Sequence, residues 1–554
     1  MRFWLVAALI LGLAAPVAAQ PPATVPPPAG PPFSAERFRA HVAFLADDAL
    51  EGRDTGSRGE AAAAQYVADQ FRALGLTPGG DSGGWFQEVR FRSASLTGGA
   101  LTISGPAGTR RWANRSEIIL FPSLSAEQSD VTAQAVFAGY GLDAPAQGLD
   151  DYRGLDVRGK IVVLLAGTPT GLAGELGAYL GDQKAAMAAR RGAIGMVMVY
   201  TEQFAAMVSW DAAVSYVAQP AMTWLDAAGT PFAAESGADF AAFLNDPAAE
   251  TLFAGARRSY AQVRAEAARA GARPRGFPLS ARIRLQRTSA WTATTSRQVI
   301  GLLPGADPAL RAEHVVLMGH LDHLGLKADA APGADNIYNG ALDNAAGIAT
   351  MLEAARAFTE SRARPRRSIL FMANTGEEKG LLGAASFADH PTVPIGSIVA
   401  AVDLDMPMLL YDFTDVIAFG ADHSTVAETV AQAARQMGVA VSPDPMPEQN
   451  LFVRSDHYEF VKRGVPAILL ATGFANGGAA HWQAFLGGPY HQVNDDMRQA
   501  IHWEAGARYA RLNYLIARAL ADADARPLWY RGDFFGDRFA PGQPRAERPA
   551  PVGN

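Results

Sequence analysis

The chain has 554 residues, no cysteine, a formal net charge of −7 and a 49% share of hydrophobic residues. That length allows two or more domains with cores of their own. The absence of cysteine excludes disulfides and lipid attachment at a thiol, and a mild acidic balance with no long Lys/Arg block speaks against nucleic acid or anionic membrane as a partner.

Met1 to Gln20 (MRFWLVAALILGLAAPVAAQ) has one early arginine, an apolar run and a small-residue exit. It reads as a secretory signal peptide over residues 1–19, its apolar run too short for a comfortable membrane span. The expectation is an exported, periplasmic or extracellular protein of bacterial type, with no stable membrane anchor after cleavage. Residues 20–33 are a proline-rich linker. Ser34 opens a helix with Phe38, Val42 and Leu45 on one face, and a second helix from Gly59 to Leu74 stops at Gly75. EGRDTGSRG between them reads as a polar, glycine-rich loop. Gly80 to Gly84 (GDSGG) matches serine-hydrolase signatures, but a helix stop precedes it and a strand-like run, Trp85 to Val89, follows, so it reads as a tight turn.

The texture changes over residues 116–277. Val136 to Gly141, Ile161 to Ala166 and Ile194 to Tyr200 read as strands, Asp182 to Arg191 as a helix. VRGKIVVLLAG and KAAMAARRGAIGMVMVY resemble the protease-associated domain inserted in several peptidase families. The resemblance implies an inserted β-rich α+β unit, which we expect to lid the active site and restrict substrate length. Of the ten histidines, none lies in this region and all but His41 come from His314 onward. Imidazole or zinc chemistry therefore belongs to the C-terminal half. Residues 34–115 and 278–525 are assigned to the catalytic domain and 526–554 to a C-terminal tail, whose Arg531-Gly532-Asp533 reads as a chance match to an adhesion tripeptide.

An alternating segment, Leu279 to Leu285, begins the return to the main domain. Apolar runs then end repeatedly on polar residues. Val315 to Gly319 runs into His320, Asp322 and His323; Ser368 to Asn374 into Glu377 and Glu378; Ile398 to Leu404 into Asp405. Asp343 and Asn344 open a helix, and Gly487 to His491 places a histidine on a turn after a further strand at Val465 to Leu470. Open α/β sheets bind ligands at the carboxyl ends of their strands, and imidazole with carboxylate but no thiolate suits zinc or a similar divalent ion. Five such ligands exceed what one tetrahedral zinc with a bound water takes; they suit two ions sharing a carboxylate. No HExxH helix is present.

GHLDHLG, NGALDNAAG, TGEEKGLLGA, VDLDM and YHQVND, in this order, resemble the co-catalytic dizinc aminopeptidase family, which includes the glutamate carboxypeptidase and transferrin-receptor branch. The resemblance implies an α/β fold, a mixed, mostly parallel sheet flanked by helices (the zinc exopeptidase fold). It implies two Zn2+ per chain: His320 and Asp405 on one, Glu378 and His491 on the other, Asp343 bridging, with a cis bond between Asp343 and Asn344. Glu377 is the implied general base, acting on a metal-bridged hydroxide during hydrolysis of peptide substrates. Tyr490 is a candidate oxyanion donor, Asp322 a candidate to orient His320, and Asp495 to do the same near His491. His323 finds no coordination place. The family often has Asn-x-Asp-Met where this chain has Asp403-Leu404-Asp405-Met406, which leaves a second carboxylate beside the site. Arg454 and Asp456 border the expected substrate pocket. The function implied is a secreted aminopeptidase; a carboxypeptidase or dipeptidase, or a catalytically silent receptor-like protein, are the alternatives.

Overall fold

The computed structural model describes residues 32–172, 174–217, 219–232 and 240–549; the expected signal peptide and nearly all of the expected proline-rich linker lie outside them. Ser34 caps the first helix, Ala35–Leu45, by accepting from the Arg37 amide, and Phe38, Val42 and Leu45 are buried along its inner face. The second helix, Arg58–Ala73, is followed by Gly75 with φ +74°, a left-handed position that glycine adopts without a Cβ penalty. Both pack toward the helix Ala346–Glu360.

Four strands, His314–His320, Ser368–Asn374, Ile398–Asp403 and Ala467–Thr472, are buried at every position. Helices cover both faces, which is why these runs are apolar throughout and not alternating. His314–His320 lies at the centre, parallel to Ser368–Asn374 on one side and to Ile398–Asp403 on the other. The pairing sets His320 opposite Asn374 and Met318 opposite Asp403, so three chain segments leave the sheet at one edge. The fold is a mixed, mostly parallel sheet flanked by helices.

Two long antiparallel strands, Phe86–Gly105 and Phe277–Leu303, run past this sheet. Leu279, Ala281, Ile283 and Leu285 turn inward and their neighbours outward, the signature of a strand with one packed face. The end of Phe277–Leu303 pairs with Ser368–Asn374, and its start pairs with Gln128–Phe137. From there Ile161–Leu165, Gly195–Val199 and Phe240–Leu244 follow in parallel. One continuous sheet thus runs through residues 116–277 and the remainder of the chain, and the boundary expected at residue 278 falls inside a strand. The helix expected at Asp182 to Arg191 is present as Lys184–Arg190, and a separate helix, Gly174–Asp182, precedes it.

GDSGG forms a short turn in which the Gly80 amide donates to the Gly84 carbonyl at 2.8 Å, before the strand from Phe86. The C-terminal segment differs from the tail expected. Trp529 and Phe535 are 1% and 2% exposed, and their burial fixes a helix, Phe534–Phe539, and a small two-stranded pairing of Trp529–Tyr530 with Arg545–Ala546 despite the proline- and glycine-rich composition. Asp533 caps that helix and is buried, so Arg531-Gly532-Asp533 presents no adhesive loop.

Candidate metal centre

His320 ends the central strand, and its Nδ1 donates to the backbone carbonyl of Asp322 at 3.1 Å. That leaves Nε2 facing Asp343 Oδ1 and Asp405 Oδ1, each at 3.2 Å. The other oxygen of Asp343, Oδ2, lies 3.2 Å from His491 Nε2, which is 3.3 Å from Glu378 Oε2. One carboxylate therefore faces two donor sets, His320 with Asp405 and His491 with Glu378. The Asp343–Asn344 bond is cis.

Asp343 is aimed by its own backbone. Asp495 accepts from the Leu342 and Asp343 amides at 3.0 Å each, and Asn344 donates to the Leu404 carbonyl at 2.9 Å. Gly347 lets the strand end at Leu404 press against this helix, where a Cβ would stand 1.9 Å from the Leu404 oxygen. Asp405 is held by Ser455, whose hydroxyl lies 2.8 Å from its Oδ2 and 2.7 Å from Asp403 Oδ2. Asp403 is fully buried and is also reached by the His457 amide at 3.1 Å. Of the two aspartates in the DLDM stretch, it is Asp405 that meets His320.

The positions assigned from sequence otherwise differ in four places. Asp322 orients His320 through its carbonyl; its carboxylate accepts from Thr55 Oγ1 at 2.9 Å and from the Glu377 amide at 3.2 Å, and so positions Glu377. Asp495 holds the turn at Asp343 and does not orient His491. Asp456 is fully buried beneath the site, taking a 2.7 Å bond from Asn374 Nδ2, and does not line the cavity. His323 is fully buried with Nδ1 2.6 Å from Glu378 Oε1 and 4.0 Å from Asp343 Oδ2, while its Nε2 has no hydrogen-bond partner. Counting coordination places removed His323 from the set; the fold puts it back beside it.

His320, Asp343, Glu377, Glu378, Asp405 and His491 line a cavity of about 980 Å³, together with the apolar Met406, Phe419, Leu469 and Trp482, with Arg454, and with Tyr179, Asp182 and Gln183 from the end of the helix Gly174–Asp182. Tyr490 stacks on His491 with ring centroids 3.9 Å apart. Burial and the nearby carboxylates of Asp343, Glu378 and Glu377 push its phenol well up, so the hydroxyl stays protonated and able to donate. Burial pushes Glu377 far above the ordinary carboxylate range, and Asp405 and Glu378 push it further. So many carboxylates cannot all ionise in a buried site unless cations join them. The donor chemistry, with His323 Nδ1 also turned to Glu378, fits a metal centre. Three-residue sets able to hold an ion are His320–Asp343–Asp405, His323–Asp343–Glu378 and His320–Glu377–Glu378.

An imidazole–carboxylate cluster at the carboxyl ends of a mostly parallel sheet, bordering a cavity, is the arrangement a hydrolytic divalent-metal centre requires. Residues 298–517 match the model of peptidase family M28. A vacuolar membrane protease of Sclerotinia sclerotiorum is 29% identical over 187 residues, covering 32% of this chain and 15% of its own length. A probable zinc metalloprotease of Pyrenophora tritici-repentis is 42% identical over 67 residues, 12% of this chain and 15% of its own. This chain thus spans about 15% of the length of these curated relatives. Among solved structures, an aminopeptidase from Aneurinibacillus sp. strain AM-1 has 20% identity and a TM-score of 0.50, with 89% of this chain and 95% of that one aligned; this likeness is one of fold. Among the described residues, no helix is long and apolar enough to cross a membrane.

Proposed function

We propose that the protein is a secreted dizinc exopeptidase, an aminopeptidase that removes N-terminal residues from peptides. The observation that carries the reading is Asp343, whose two oxygens each stand 3.2 Å from a different imidazole. One ion would be held by His320 and Asp405, the other by Glu378 and His491, with His323 beside Glu378 and Asp343 shared. Such ions, when bound, supply a water that ionises near neutral pH. Glu377 lines the same cavity, and its amide is anchored by Asp322; it takes the proton of the attacking water and returns it to the leaving amine. The protonated Tyr490 hydroxyl donates to the carbonyl oxygen as negative charge builds on it.

The carboxylates at the metal end suit a free α-amine, and the apolar wall of Met406, Phe419, Leu469 and Trp482 suits a large apolar side chain next to it. Export rests on the leader-like composition of residues 1–19. Arg454 on the cavity wall favours a second reading, recognition of a terminal carboxylate by a carboxypeptidase or dipeptidase.

The test is a panel of aminoacyl, dipeptidyl and N-terminally blocked, C-terminally free chromogenic substrates, with and without chelator, alongside metal analysis. Aminoacyl cleavage abolished by chelator, near two zinc ions per chain, and a Glu377→Gln variant that keeps its metal but loses turnover are the expected results. A metal-free, chelator-insensitive protein refutes the dizinc reading; cleavage confined to free C-termini replaces the aminopeptidase by the carboxypeptidase.

A further inference from the structure

Residues 52–56 join the first two helices, more than 240 positions upstream of the family match that begins at residue 298. Three consecutive side chains of this loop reach three different segments that carry the metal-centre residues. Arg53 is 1% exposed and makes no carboxylate contact at hydrogen-bond distance. Its guanidinium donates to four backbone carbonyls: Leu45 at the end of the first helix, Leu321 at 2.9 Å, Asn339 at 2.6 Å and Gly340 at 3.1 Å. Leu321 follows His320, and Gly340 starts the turn that delivers Asp343. Asp54 pairs with Lys379, next to Glu378, at 2.7 Å. Thr55 donates to Asp322 at 2.9 Å, and the other oxygen of Asp322 takes the Glu377 amide.

The loop is also seated by its backbone. The His323 amide donates to the Arg53 carbonyl at 3.1 Å and the Gly325 amide to Gly52 at 3.0 Å. Gly52 has φ +69°, and a Cβ there would lie 2.2 Å from the Gly325 oxygen, so only glycine permits this approach. A planar fork with five fixed donors is the one side chain able to tie four carbonyls at once. It does so while setting a positive charge beneath a carboxylate-rich site.

We propose that Arg53, Asp54 and Thr55 form a positioning platform for the metal centre, Arg53 fixing the His320 and Asp343 segments and Thr55 fixing Glu377 through Asp322. Residues that orient metal ligands from behind change metal affinity or activity by about 10–100-fold when replaced, whereas a loop with a purely structural role would change only the melting temperature.

The inference rests on the metal-centre reading, and the experiment separates the two. Full-length zinc-loaded wild type, Arg53→Gln, Arg53→Lys and Thr55→Val are titrated against a competing chelator for zinc affinity, and kcat and KM are measured on the best panel substrate. Arg53→Gln is expected to lose about 10–100-fold in zinc affinity, with Arg53→Lys restoring part of it. Thr55→Val is expected to keep its zinc and lose about tenfold in kcat at unchanged KM. Folded variants with wild-type zinc affinity and kcat overturn the platform. Should Arg53→Gln fail to fold, Arg53→Lys and Thr55→Val carry the same test. A wild-type protein that takes up no zinc overturns the metal-centre reading itself, and the platform with it.

Discussion

His423 offers a prediction whose size can be worked from the structure. It lies away from the metal centre, where three parts of the chain meet. Its Nδ1 is 2.6 Å from Asp533 of the C-terminal segment and its Nε2 3.1 Å from Glu175 of the inserted helix. Asp422 lies 3.9 Å away and Arg548 3.7 Å from Asp533, while the rings of Phe452 and Phe535 complete the surroundings. Burial disfavours the charged imidazole, but the hydrogen bonds to Asp533 and Glu175 outweigh it and hold the pKa at about 10. The folded value stands above the unfolded one of about 6.5. The stabilisation is therefore fully present below pH ~6.5, falls as pH rises through the window, and is gone above about pH 10. The difference corresponds to at most about 5 kcal/mol, reduced to roughly 3 because Glu175 is partly solvated. The assay compares wild type with His423→Gln by thermal midpoint at pH 6, 8 and 10, together with hydrogen exchange of the helices at 174–182 and 534–539. The wild-type advantage should be largest at pH 6 and shrink steadily toward pH 10. An advantage independent of pH would refute the charged-imidazole argument.

Three further outcomes follow from the geometry around the metal centre. Gly347→Ala drives a Cβ into the Leu404 carbonyl and the Asn344 side chain, which must displace Asp405; zinc content at equilibrium dialysis should fall while the far-UV spectrum is kept. Ser455→Ala removes the hydroxyl shared by Asp403 and Asp405 and should weaken zinc binding about tenfold, read by chelator competition; unchanged affinity would show that Asp405 needs no support. Tyr490→Phe keeps the stacking on His491 but deletes the donor, so kcat should drop about 10²-fold with KM nearly constant. An equal loss through KM would assign Tyr490 to binding.

The strand ends were legible because strands covered on both faces are written as unbroken apolar runs, and a run that stops on His320, Glu377 or Asp405 marks the edge where ligands bind. What polar atoms do at that edge was not legible. Asp322 near His320 looks the same in sequence whether its carbonyl or its carboxylate does the orienting, and only the fold shows that Thr55 and Glu377 claim the carboxylate. His323 was set aside by counting ligands, an argument blind to the distance that puts it 2.6 Å from Glu378. The segment at Arg53 reads in sequence only as a polar, glycine-rich loop; its partners lie more than 260 residues away at Leu321 and Gly340. Trp529 and Phe535 were hidden in the same way by the prolines and glycines around them.

The strand Phe277–Leu303 has 27 residues and pairs at its start with Gln128–Phe137 and at its end with Ser368–Asn374. At ~3.3 Å per residue it extends about 90 Å, a single beam carrying both halves of the molecule. A module joined by two flexible linkers could be excised or exchanged between proteins with little penalty. Here, excision at residue 277 would cut a beam already built into the catalytic sheet, two strands from His320. The two halves share one strand, so a single calorimetric transition is the expected outcome on heating, and two separate transitions would show that the beam does not couple them.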